Sequence, residues 1–133
     1  MSVDMMIAVQ DAVFDALEAG MPAELATVKQ HVPDDFTDDL VTFGEHDASE
    51  DNAKGCQAEI HTIEIFSIFH GPARRGVMTI MAKVRELLDQ QPLTAPGIYI
   101  SECRWLSAIA GESDDGASYT GLQTFEISVE PEE

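Results

Sequence analysis

The sequence predicts an α+β fold: a largely antiparallel sheet of four to five strands with two amphipathic helices packed on one face. Three observations carry this prediction. Two separate segments repeat apolar residues at helical spacing, several others run or alternate as strands do, and the order is helix, strand, strand, long strand, helix, long strand, long strand. With 133 residues, 44 % of them apolar, residues 1–133 have room for a single domain with a real core, which excludes two-domain and tandem-repeat arrangements.

Each element has its own justification. Val3, Met6, Ile7, Val13, Phe14 and Leu17 point one way, predicting a helix over residues 3–19 with Ser2 as N-cap, Asp4 in the first turn, and Gly20 and Pro22 as stops. Gln10 interrupts the apolar stripe, either as a buried amide with a partner or as the mark of a wet interface. Residues 26–32 read as a short strand ended by Pro33, then an acidic loop over 34–39 and a second strand over 40–45. Residues 46–55 are too hydrophilic to pack and predict a loop. Residues 57–69 form the strongest strand, about 40 Å long at roughly 3.3 Å per residue. Ile63, Ile65 and Phe69 share one side of it, and Ile60, Phe66 and Ile68 share the other with Thr62 and Glu64. Two helices cover one face of such a sheet, so the second face calls for cover from a neighbouring subunit.

His70, Gly71 and Pro72 break that strand. Val77, Ile80, Met81, Val84, Leu87 and Leu88 then predict a second amphipathic helix over 73–90, ended before Pro92. The remainder reads as a long hairpin pairing 98–110 with 118–130 across an acidic, glycine-flanked turn. Tyr119, Phe125, Ile127 and Val129 share the core face of its return strand.

The charge is large and uneven. Twenty-five Asp and Glu oppose seven Lys and Arg, a formal charge of -18, so the molecule as a whole repels nucleic-acid backbones. No apolar run reaches the about 20 residues of a membrane span, and residues 1–4 have no signal-peptide character, which leads to the expectation of a soluble protein made inside the cell. Thirteen acids and only Lys29 as a base lie within residues 1–52, whereas Arg74, Arg75, Lys83 and Arg85 follow one another with no acid between them. Such asymmetry arises from complementary surfaces that meet, or from solvated loops beside the outer flank of a helix. Arg74 and Arg75 sit in a first helical turn, where the helix dipole disfavours cations by about 0.3–1 kcal/mol. They answer to an anionic partner elsewhere, or tolerate the penalty in solvent.

Recognisable catalytic patterns are missing. The nine glycines form no dinucleotide or phosphate-binding loop and no nucleophile elbow, and the carboxylates fall in no acid/base motif. Asp47, Ser49 and Asp51 match the first three ligand positions of a calcium loop, but Asn52 and Ala58 occupy its glycine and bidentate-glutamate positions, leaving at most a weak surface site. His31, His46, His61 and His70 are scattered, and Cys56 and Cys103 have no second cysteine at chelating distance, so no zinc site is expected. Cys103 reads as a packed thiol. The expectation is a protein with no enzymatic activity, no cofactor and no metal.

Four pieces of the chain together resemble the tail-completion or tail-terminator proteins of long-tailed bacteriophages, prophages and gene transfer agents. They are the early helix ending at Leu17, the segment 29–33 followed by 40–44, the unit 63–71 leading into the helix 77–88, and residues 115–130. The sequence departs from that pattern in its acidity, in Thr120 where a histidine is expected and in Phe66 where a tryptophan is common. The resemblance implies a ring of six copies that caps the head-proximal end of a tail tube, stops its growth and joins the tail to the head connector. Its partners would be further copies of itself, the tail-tube protein and the head-completion or stopper protein of the neck. DNA would slide through without specific binding, no membrane would be involved, and assembly would occur in the host bacterial cytoplasm. In that setting Arg74, Arg75, Lys83, Arg85, Ile60, Phe66 and Ile68 are the expected subunit interface, and a loop carrying Glu45, Asp47, Glu50 and Asp51 is expected to face the lumen or the tube. The alternatives are another neck or tube component, such as a head-closure adaptor or tail-tube subunit, and a small acidic binding module with weak calcium affinity.

Overall fold

The computed structural model describes residues 4–32, 37–51, 57–113 and 116–132. The chain runs α1 (Met5–Gly20), β1 (Thr27–Val28), β2 (Leu40–Glu50), β3 (Glu59–Phe69), α2 (Arg74–Leu88), β4 (Thr94–Ala95), β5 (Ile98–Glu112) and β6 (Tyr119–Pro131). One six-stranded sheet has the order β1-β2-β3-β6-β5-β4, with only the β1–β2 pair parallel. The fold is therefore the expected α+β arrangement with one or two more strands, because the two-residue β1 and β4 are too short to leave a periodic signal. Helix α1 touches both β1 and β4, at opposite ends of the sheet order, so the sheet curls around it.

The core lies between this sheet and the helices. Val9, Val13 and Leu17 of α1 and Ile80, Val84 and Leu88 of α2 are buried against Ile63, Ile65, Phe125, Ile127 and Val129, all on one face of the strands. Cys103 is packed into the same layer, where burial, and secondarily Asp89 and Glu102, push its thiol pKa up to about 12. Helix α2 reaches the sheet closely because of Gly121: a Cβ there would lie 2.2 Å from Met81 Sδ. The carboxylate of Asp89 accepts from Trp105 N–H at 2.9 Å, and Gln90 N–H donates to the Cys103 carbonyl at 2.7 Å, tying the end of α2 to β5.

Several boundaries differ from expectation for identifiable reasons. Ser2 lies outside the described residues and Asp4 is the N-cap rather than a first-turn residue: its carboxylate accepts from the N–H groups of Met6 at 3.0 Å and Ile7 at 3.4 Å. Gln10 is half-buried and donates to Gln30 Oε1 at 3.2 Å, so the polar residue in the stripe has a partner at the rim. Only Thr27 and Val28 of the expected 26–32 strand are in the ladder.

The largest correction concerns residues 46–50. They are not a loop: β2 continues through His46, Asp47, Ala48, Ser49 and Glu50, paired with β3 down to Glu50 opposite Glu59, after a bulge between Phe43 and His46. Backbone pairing to a long neighbour holds the strand, and its exposed side chains need no apolar character near the sheet edge. Residues 52–56, with Cys56, lie outside the described residues, as do 33–36 and the turn residues Asp114 and Asp115. Among the described residues no helix is long and apolar enough to cross a membrane.

Candidate functional site

Three surface features emerge from this scaffold. The first is a groove of about 490 Å³ between α2 and β5, lined by Arg74, Met78, Met81, Ala82, Arg85, Trp105, Ala108, Ala110 and Gln123. Arg74, Met78, Ala82 and Arg85 succeed one another at helical spacing and so form one wall. The Arg85 guanidinium carbon sits 3.8 Å from the Trp105 ring centroid, a cation–π contact, and its Nε is 3.6 Å from Asp89. Gln123 is 2 % exposed. Its Nε2 donates to the Met81 carbonyl at 3.0 Å, while its Oε1 and the Trp105 indole N–H have no partner among the described residues. Met78 is 53 % exposed, an unusual state for a large apolar side chain on a helix.

The second feature is the sheet face turned away from the helices. Register sets Thr42, Phe66, Leu122 and Ile109 in one row across β2, β3, β6 and β5, with Leu40, Ile68, Thr120 and Gly111 in the adjacent row. Ile109 is 70 % exposed, and Phe66, Ile68 and Leu122 are half-buried. The other end of this face is polar: Arg104 donates to Glu126 at 2.9 Å, and Thr62, Asp47, Ser128 and Glu102 lie nearby in the register. A Cβ at Gly44 would lie 2.6 Å from the Phe66 ring, so glycine lets that ring lie flat across the bulged strand.

The third feature is the acidic end of the β2–β3 hairpin. Glu45, Asp47 and Glu50 are exposed on β2, and Asp51 follows it, its N–H bonding to the Ala58 carbonyl at 2.9 Å. The hairpin also joins two histidines that linear spacing leaves apart. His46 Nε2 lies 2.7 Å from His61 Nδ1, and His61 Nε2 lies 2.8 Å from Glu59 Oε1. Both contacts are met when His46 Nε2–H donates to His61 and His61 Nε2–H donates to the carboxylate. Burial, and after it the neighbouring His61 ring, holds the His46 pKa below its ordinary value, against an opposing pull from Asp47. Asp47 and Ser49 are strand residues, a geometry unlike that of a calcium loop. Among the described residues no three His, Cys, Asp or Glu side chains are grouped to hold a metal ion.

The structure thus divides the expected interface residues. Arg74 and Arg85 line the groove; Arg75 is exposed beside it, its carbonyl accepting from Thr79 Oγ1 at 2.8 Å; Lys83 is paired with Glu86 at 2.9 Å. Phe66 and Ile68 belong to the apolar rows on the opposite side of the sheet, whereas Ile60 lies about 20 Å from Phe66 along β3, in the polar half. Sequence reasoning missed Met78, Trp105, Gln123, Leu122 and Ile109. Met78 was detectable one turn after Arg74, but the others become neighbours only through strand register.

The fold recurs in solved structures of phage and gene-transfer-agent proteins. It superposes on a chain in the structure titled "Virion of native gene transfer agent (GTA) particle" with a TM-score of 0.82, at 19 % identity, covering 97 % of this chain and 99 % of that one. It also superposes on the bacteriophage SPP1 gp17 protein with a TM-score of 0.60, at 20 % identity, covering 92 % and 88 % of the two chains. The family model described as "Tail completion protein gp17" matches residues 8–130, and the chain belongs to that family. No curated protein matches the sequence. As a member of that family, the protein is a tail completion protein.

Proposed function

We propose that this tail completion protein caps the head-proximal end of the tail tube as a ring of six copies, stops tube growth and joins the tail to the head connector. The observation that carries the proposal is the pair of uncovered surfaces on opposite sides of one sheet: the arginine-lined groove beside α2 and the apolar rows around Phe66, Leu122 and Ile109. A ring subunit needs distinct patches for the neighbour on each side, since a heterologous contact repeats head to tail until it closes. It also needs surfaces for the tube below and the stopper protein above. Arg74, Arg75, Lys83 and Arg85, with Ile60, Phe66 and Ile68, supply the subunit contacts in this scheme. Glu45, Asp47 and Glu50 along β2, with Asp51 just past it, face the lumen or tube, where like charge keeps passing DNA from adhering. Assembly takes place in the host bacterial cytoplasm and the protein ends in the neck of the particle.

The test is disruption of the gene in its source, followed by negative-stain electron microscopy of the lysate. Overlong, headless tails are the expected result. Tails of normal length lying apart from heads would replace the capping role with that of a head-closure adaptor. Intact particles would defeat the proposal, and calorimetric titration with calcium would then test the acidic binding module.

A further inference from the structure

We infer that the groove between α2 and β5 receives the acidic outer face of α1 from a second copy of the chain, the two helices running antiparallel. The inference rests on the ring proposed above and names the surfaces that build it. Helix α1 presents Ile7, Asp11, Asp15 and Glu18 to solvent on one side, with Ile7 60 % exposed and no base anywhere on the helix. Helix α2 presents Arg74, Met78, Ala82 and Arg85 along the groove. Both sets are separated by intervals of four, four and three residues and span about 16 Å at 1.5 Å per residue. Opposite charges, an exposed apolar residue on each helix and equal length make the two faces complementary.

Polarity fixes the orientation. Glu18 lies in the last turn of α1, the negative end of its dipole, and Arg74 and Arg75 lie in the first turn of α2, the positive end. Each is misplaced on its own helix, and among the described residues no ion pair joins Arg74 or Arg75 to a carboxylate. Antiparallel docking sets Glu18 against Arg74, relieving both ends together. By the same rise, Asp15 and Asp11 then fall beside Met78 and Ala82, and Ile7 falls beside Arg85 and the Trp105 ring that Arg85 covers, with Asp11 about 6 Å along the axis from Arg85. A parallel arrangement with the two sets in register would pair Glu18 with Arg85 and set Ile7 against Arg74, leaving the misplaced arginine uncompensated. Within one subunit the two helices already pack through their buried faces, around Val13, Leu17, Val84 and Leu88, so these outer faces cannot meet each other within one chain.

The test is charge exchange in the producing cell, with the resident gene disrupted and Glu18→Arg and Arg74→Glu supplied singly and together. Each single variant is expected to lower the yield of capped, head-bearing particles about tenfold or more, and the pair to restore it to within about threefold. Single variants that match the original protein, or a pair no better than the product of the singles, would overturn the inference. Thermal denaturation of the purified variants separates misfolding from lost contact. As a second measurement, Glu18→Cys and Arg74→Cys proteins are expressed together and crosslinked in assembled tails. A product of two copies supports the pairing, and a product with a different tail protein overturns the choice of a second copy. Should disruption alone leave tails normal, the ring proposal itself fails; overlong tails in the disrupted strain with innocuous single variants would defeat only the helix pairing.

Discussion

The two faces of the sheet both carry large apolar side chains yet obey different rules. On the helix side, Ile63, Ile65, Phe125, Ile127 and Val129 are at most 1 % exposed, each pressed against α1 or α2. On the other side, Phe66, Ile68 and Leu122 alternate with them along the same strands and stay half-buried, ending at Ile109 in the open. Strand geometry assigns neighbours in sequence to opposite faces, so one row of residues is shaped by folding and the next by whatever the molecule meets. The uncovered apolar row is the surface that the proposed ring assigns to a neighbouring copy.

Substitutions can break or sharpen this contrast. The largest effect is expected for Phe125→Ala, with a loss of about 3–5 kcal/mol in denaturant or thermal unfolding, because a closed cavity remains behind. Gly121→Val comes next, at about 1–3 kcal/mol, since the new side chain meets Met81; Met81→Ala in the same background should recover part of the loss. A smaller effect depends on pH. The depressed His46 pKa means that, as pH falls below its ordinary 6.5, the unfolded chain takes up a proton before the folded chain does. Stability should therefore decline from that point down to the folded-state pKa and be unaffected above it. His46→Gln should flatten that part of the profile in melts taken between pH 7 and pH 5. The smallest change in stability, about 1 kcal/mol or less, is expected for Phe66→Ser, with a marked loss of assembled tails in complementation. A Phe66 variant as unstable as the Phe125 variant would show that the open face belongs to the core.

Helices and long strands were legible in the sequence because their periodicities are sustained over three or more turns or pairs: Val77 to Leu88 and Ile63 to Phe69 are examples. The acidic continuation of β2 was not, since Asp47, Ser49 and Glu50 carry the composition of a loop and are held in the strand by β3 rather than by their own preferences. The arginine wall could be read from spacing on one helix. The Trp105–Gln123 floor and the His46–His61 contact could not, because each joins residues from different elements whose register is set by bulges, at Phe43/His46 and at Trp105/Ser107. Surfaces assembled across strands hide from linear inspection more completely than those on one helix.

The central ladder has a consequence for how the molecule is made. Strand β3 pairs with β6 along its whole length, joining residues fifty to seventy positions apart, while β5 and α2 intervene. During synthesis β3 can pair with β2 on one edge, but its other edge has no partner until β6 has left the ribosome, and the apolar sides of β3 and α2 wait uncovered. Completion of the native state is thus a late, non-local step whose speed depends on closing a long loop. Growth temperature and chaperone supply should govern the yield of functional protein, and lesions in β6 should lower it more than equally severe lesions in β2.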